Sequence, residues 1–182
     1  MDKSTGVVQV YQTVEFDLRK YLVRRDKLLD DFVGKLTGRY KTDQNKAQAL
    51  LCFVQTGIKY DEEKVEATLR NDDLDFVRTP QQTLCEGKGD CKDTSVLYST
   101  LLSYIGIRSA FLYFPNHVNV GVNLDFISNQ VAGAPAGLHL DGLVNYRGST
   151  YYIAETTPDK PIFIGKLMKS QIGKKLERVV LI

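Results

Sequence analysis

The chain has 182 residues, 43% of them apolar and 25% charged, with a net charge of +2. That length favours a single domain, 1–182, with a real hydrophobic core. The mixed charge excludes both the basic stripe of a nucleic-acid binder and an acidic tail. No stretch approaches the roughly 20 apolar residues of a bilayer span, so no membrane span is expected.

The start, Met1–Gly6, lacks the apolar core of a signal peptide. This suits a cytoplasmic protein, or an exported one whose leader lies outside this sequence; oligomeric state is left open. Lys166, Lys169, Lys174, Lys175 and Arg178 read as a solvated run rather than a binding patch. The cysteines, Cys52, Cys85 and Cys91, are odd in number, so at least one is free or pairs outside the chain. Cys85 and Cys91 lack the close spacing of a zinc knuckle, and both histidines lie far downstream. Neither a metal nor a cofactor is expected.

In chain order, Val7–Val14 reads as a strand. Leu18, Leu22, Leu29, Phe32, Val33 and Leu36 fall on one helical face. Ala47, Leu50, Leu51, Val54 and Ile58 follow the helical i, i+3, i+4, i+7 pattern, with Thr42 or Asp43 available as N-cap. The charged stretch Asp61–Asp75 reads as a short helix and a surface loop. Pro80 and Gly87–Asp90 punctuate the chain before a helix from Cys91 to about Ile105. Asp90 is its N-cap, Asp93 lies in its first turn, and Gly106 is its stop.

Strand formers follow. Ser109–Phe114 is one strand, and Val118, Val120, Val122 and Leu124 alternate with Asn119, Gly121 and Asn123 as a second. Asn129–Gly137 reads as a loop at the border of a cleft. Leu143–Tyr146 and Tyr151–Thr156 read as a hairpin, and Phe163–Leu167 and Leu176–Ile182 as further strands. Helices first and antiparallel strands second make an α+β fold.

Cys91 follows a glycine-containing turn and opens a helix. There the helix dipole favours a thiolate, and first-turn N–H groups can donate to an oxyanion. A small buried cysteine is the plain alternative. His117 opens the alternating strand with the parity of Asn119 and Gly121, away from the valine row, where a general base could reach the thiol. Gly121 leaves room on that face for the Cys91 helix. His139, among apolar neighbours, is the second choice for the base. Glu155 shares the parity of Tyr151 and Ile153. An inward carboxylate there needs a partner such as an imidazolium.

Three motifs carry a resemblance. GKGDCKDTSVL (87–97), FPNHVNVGV (114–122) and YYIAETT (151–157) resemble the nucleophile, histidine and acidic motifs of the transglutaminase-like superfamily, in the same order. The resemblance covers about residues 45–165, the expected core. Many members carry Asp and a post-histidine aromatic where this chain has Glu155 and Val118. It implies a papain-like fold, with N-terminal helices and the nucleophile helix packed on a C-terminal antiparallel sheet. It also implies a Cys91–His117–Glu155 triad acting on a protein or peptide substrate through a thioester acyl-enzyme.

Peptide or isopeptide hydrolysis is the favoured activity. Glutamine acyl transfer and amidase deglycosylation are the enzymatic alternatives. A non-catalytic binding module and a thiol-redox protein using Cys85 and Cys91 are the readings from other classes.

Overall fold

The computed structural model describes residues 17–71, 75–125, 133–134, 138, 140–158 and 160–182. The strand expected at Val7–Val14, most of the loop Asn129–Gly137 and the rival histidine His139 lie outside these residues. None of the described helices is long and apolar enough to cross a membrane.

The apolar series from Leu18 to Leu36 does not form one helix. A 3-10 turn, Leu18–Tyr21, is separated from α1, Lys27–Thr37, by Arg25 at φ 62°. Asp26 then restarts the helix by accepting from Leu28 N and Leu29 N. α2, Asp43–Gly57, is capped by Thr42 and buries Ala47, Leu50, Leu51 and Val54. α3, Glu62–Arg70, is the short helix expected in the charged stretch. α4, Pro80–Glu86, was not legible as a helix. Pro80 begins it, Thr79 and Gln82 close a capping box, and Gly87 ends it at φ 64°.

α5, Cys91–Tyr104, is the central helix. Every residue from Asp93 to Leu102 is buried, so its apolar stripe is embedded in an all-round core. Leu97, Tyr98, Leu101 and Leu102 pack with α2 in the largest apolar cluster. Each such side chain contributes about 1.5–3 kcal/mol. The polar positions are mostly satisfied: Ser95 Oγ donates to Val118 O at 3.2 Å, and Tyr98 Oη to Ala47 O at 3.1 Å.

Five strands, β3 Ser109–Phe114, β4 His117–Val122, β5 Leu143–Tyr146, β6 Ser149–Ala154 and β7 Arg178–Leu181, form an antiparallel sheet in the order β5-β6-β4-β3-β7. Val120 and Val122 join the α2–α5 cluster, and Phe111 and Val118 pack with Val96 of α5. Ala110, Leu112, Tyr151 and Ile153 face the other way, against Leu167 and Leu176. A two-residue pair, Lys59–Tyr60 (β1) with Lys88–Gly89 (β2), is parallel and stands apart from the sheet.

Two expectations are corrected. A Cβ on Gly121 would lie 3.0 Å from Tyr151 Cβ and 3.1 Å from Leu112 Cδ1, so this glycine serves packing on the face opposite α5. Phe163–Leu167 is not a strand. Gly165 turns it at φ 82°, while its carbonyl accepts from Asp141 N and Gly142 N.

Candidate active site

Cys91 is the first residue of α5 and is half-buried. Its N-cap, Asp90, accepts from Lys92 N at 2.9 Å and Asp93 N at 3.0 Å, while Asp93 Oδ2 accepts from Asp90 N at 3.2 Å. The capping box consumes two first-turn amides. Among the described residues the N–H of Cys91 itself meets no acceptor, so the donors expected from this turn narrow to one.

Beneath the turn lies an ionic cluster that the sequence did not reveal. Lys64 Nζ contacts Asp93 at 2.7 Å and Asp90 at 3.0 Å; Arg78 contacts Asp93 at 3.0 Å and Asp61 at 2.8 Å. All five residues are at most 6% exposed, so the cluster lies inside the protein. Asp61 also caps α3 through Lys64 N. Gly89 is required here because a Cβ would lie 2.8 Å from Asp93 Cβ.

His117 follows the two-residue turn Pro115-Asn116, where Asn116 takes φ 56°, a conformation asparagine tolerates. Its Nε2 lies 2.8 Å from Glu155 Oε2 and 2.8 Å from Asn119 Oδ1. Both partners are acceptors, so the network assigns the proton to Nε2. Burial disfavours a charged ring. Hydrogen bonds to Cys91 and Glu155, with their charges, outweigh it and push His117 up to about 10.

Glu155 follows β6 and is fully buried. Its Oε1 accepts from Thr157 N at 2.8 Å and Thr157 Oγ1 at 3.0 Å, and its Oε2 accepts from Gln171 Nε2 as well as His117. Burial raises its pKa, but the His117 and Thr157 contacts hold it below the ordinary glutamate value. The structure thus brings Cys91, His117 and Glu155 together. Thr94 Oγ1 meets Thr156 Oγ1 at 2.9 Å, tying α5 to the end of β6.

Other candidates lie apart from this arrangement. Asp141, a further carboxylate near the third motif, is engaged by Lys166 Nζ at 2.9 Å and Leu167 N at 2.9 Å. Cys52 and Cys85 are exposed and free. Among the described residues no group of His, Cys, Asp or Glu is arranged to hold a metal ion.

Sequence reasoning missed three partners. Asn119 could have been found, because it shares the parity of His117. Thr157, two residues past Glu155, carries a weak local signal. Gln171 carries none, since only tertiary folding brings it there.

Linkage makes the charged pair visible in stability. His117, raised to about 10 from 6.5, contributes fully below its unfolded value and loses that contribution as pH rises through about 10. Glu155, lowered from 4.5, contributes above its unfolded value and loses this as pH falls. The Tm difference between wild type and His117→Ala is therefore expected to be largest near ~pH 6 and to shrink toward ~pH 10. A flat difference across thermal melts in that range would remove the ion pair.

A cysteine opening a buried helix, packed on an antiparallel sheet that carries a histidine and an acid, is the α+β architecture of the papain-like class. The profile described as the transglutaminase-like superfamily matches residues 30–122, over half the chain and both Cys91 and His117. The chain belongs to that superfamily.

Among solved structures it is similar to a candidate cysteine protease from Cytophaga hutchinsonii, with 11% identity, TM-score 0.50, and coverage of 92% of this chain and 55% of that one. A candidate protease from Parabacteroides distasonis gives 16% identity and TM-score 0.46 over 78% of this chain and 30% of that one. EGTA-treated LapG of Legionella pneumophila gives 15% identity and TM-score 0.44 over 93% and 80%. This chain therefore spans less than two thirds of the first two. No curated protein matches it.

Proposed function

We propose that the protein is a cysteine hydrolase that cleaves peptide or isopeptide bonds, with Cys91 as nucleophile, His117 as acid–base and Glu155 as its orienting carboxylate. The observation that carries this reading is His117 held between Cys91 and a buried, four-times-bonded Glu155. Nε2 is engaged by Glu155 and Asn119, which leaves Nδ1 to exchange a proton with the thiol. The Cys91 thiolate attacks the carbonyl carbon. His117 protonates the departing amine, and a thioester forms on Sγ. His117 then takes a proton from water, whose oxygen displaces the thiol. The description of the Cytophaga hutchinsonii structure as a candidate cysteine protease accords with hydrolysis.

Competitive labelling tests the activation of Cys91. By exposure alone, Cys52 and Cys85 should react with iodoacetamide before the half-buried Cys91. The expected order is the reverse at neutral pH, with Cys91 first by peptide mass mapping. Glu155→Gln should move the pH profile of Cys91 labelling upward, because the imidazolium loses its countercharge; Glu155→Asp should move it less. Labelling that follows exposure, with three coincident profiles, would point to a non-catalytic binding module.

A further inference from the structure

An oxyanion formed on an attacked carbonyl is best held by two donors aimed at one point. Asp90 has taken the amides of Lys92 and Asp93, so α5 offers only the N–H of Cys91. The second donor has to come from another element. Lys92 Nζ is committed to Asp75 and Asp90, and Gln55 Nε2 donates to Glu155 O at 2.7 Å and Ile162 O at 3.1 Å.

One exposed side-chain donor near the turn is unspent; the other, Asn119 Nδ2, is buried beside His117. Tyr60 is the register partner of Gly89, two residues before Cys91, and is fixed from both sides. Lys59 N donates to Gly87 O at 2.9 Å, and Asp61 N to Gly89 O at 3.2 Å. Asp61 is anchored by Arg78, so backbone and ion pair together hold the tyrosine to the turn that launches Cys91. The side chain is 48% exposed, open to a substrate, and its hydroxyl donates no hydrogen bond among the described residues.

We infer that Tyr60 is a further catalytic residue, its hydroxyl donating with the Cys91 N–H to the oxygen that becomes negative when the thiolate adds to the carbonyl. This rests on Cys91 being the nucleophile. The environment suits the role. Partial burial, then the charges of Cys91, Asp90, Glu155 and Glu62, push the phenol up to about 12. It therefore keeps its proton across the working range and stays a donor.

Two reactions of one thiol separate this role from any other. With p-nitrophenyl acetate, Sγ adds to the ester carbonyl, the C=O pair moves onto oxygen, and collapse expels p-nitrophenolate to leave acetyl-Cys91. With iodoacetamide, Sγ displaces iodide at a saturated carbon and no oxyanion forms. Tyr60→Phe, which keeps the ring, is expected to slow the nitrophenolate burst about tenfold or more and to leave the alkylation rate within about twofold.

An unchanged burst, or a burst and an alkylation slowed together, overturns the assignment of Tyr60 while Cys91 stands. A burst that survives in Cys91→Ser overturns the nucleophile itself, and the role of Tyr60 with it.

Discussion

Cys91→Ser and Cys91→Ala are expected to abolish acylation, and His117→Ala to slow it by at least about two orders of magnitude, the range of a lost general acid–base. Serine and alanine both fit the first position of a helix, so α5 should persist and the loss should be chemical. Cys52→Ser and Cys85→Ser should retain most activity, since both thiols are exposed and lie outside the His117–Glu155 arrangement. The measurement is intact mass after incubation with peptide mixtures, reading acyl adducts on the protein. Tm is followed in parallel.

His139→Ala is the matched control and should do far less than His117→Ala, because the Glu155 hydrogen bond and the influence of Cys91 on the ring belong to His117. A benign His117→Ala would remove the mechanism. An inactive Cys85→Ser with an active Cys91→Ser would reassign the nucleophile.

The sequence was legible wherever one local rule decided the outcome. The cap Asp90 and the stop Gly106 rest on the chemistry of one or two residues, and they stand where they were expected. Parity placed His117 away from the valine row, and the partners of that row's opposite face, Leu112 and Tyr151, bear this out. What that parity could not tell is where the Cys91 helix lies. α5 covers the Val118–Val122 face, so His117 meets Cys91 only because it stands at the strand's beginning beside the first turn of α5.

The short helix within Asp61–Asp75 was legible, but the burial of its charges was not, because exposure is the usual fate of charged residues. Burial of Asp61 and Lys64 depends on Arg78, Asp90 and Asp93 arriving from later in the chain. Gln171 was invisible for the same reason: its contact is tertiary, and nothing within its neighbourhood announces it.

Asp93→Ala is expected to destabilise the fold by about 3–5 kcal/mol, the cost of stranding buried partners of a removed charge. Asp93 is completely buried and accepts from Lys64 Nζ, Arg78 Nη1, Arg78 N and Asp90 N. Alanine leaves Lys64 beside Asp90, and Arg78 beside Asp61 and the half-exposed Glu86, and opens the reciprocal half of the capping box. In a chain of this size each kcal/mol lowers Tm by about 2–4 °C, so a fall of roughly 6–20 °C is the expected thermal signature.

Asp93→Asn separates charge from shape, since an amide can still accept from Arg78 N while losing its attraction for both cations. Adding Lys64→Met to Asp93→Asn should then recover part of the loss, because one stranded cation is gone. That non-additivity is the mark of a coupled buried network. Labelling of Cys91 by iodoacetamide should slow in Asp93→Ala at temperatures well below its Tm, as the turn that presents the thiol loosens. A loss under about 1 kcal/mol, with purely additive double variants, would mean that these charges behave as an exposed set and that Asp90 alone holds the nucleophile turn.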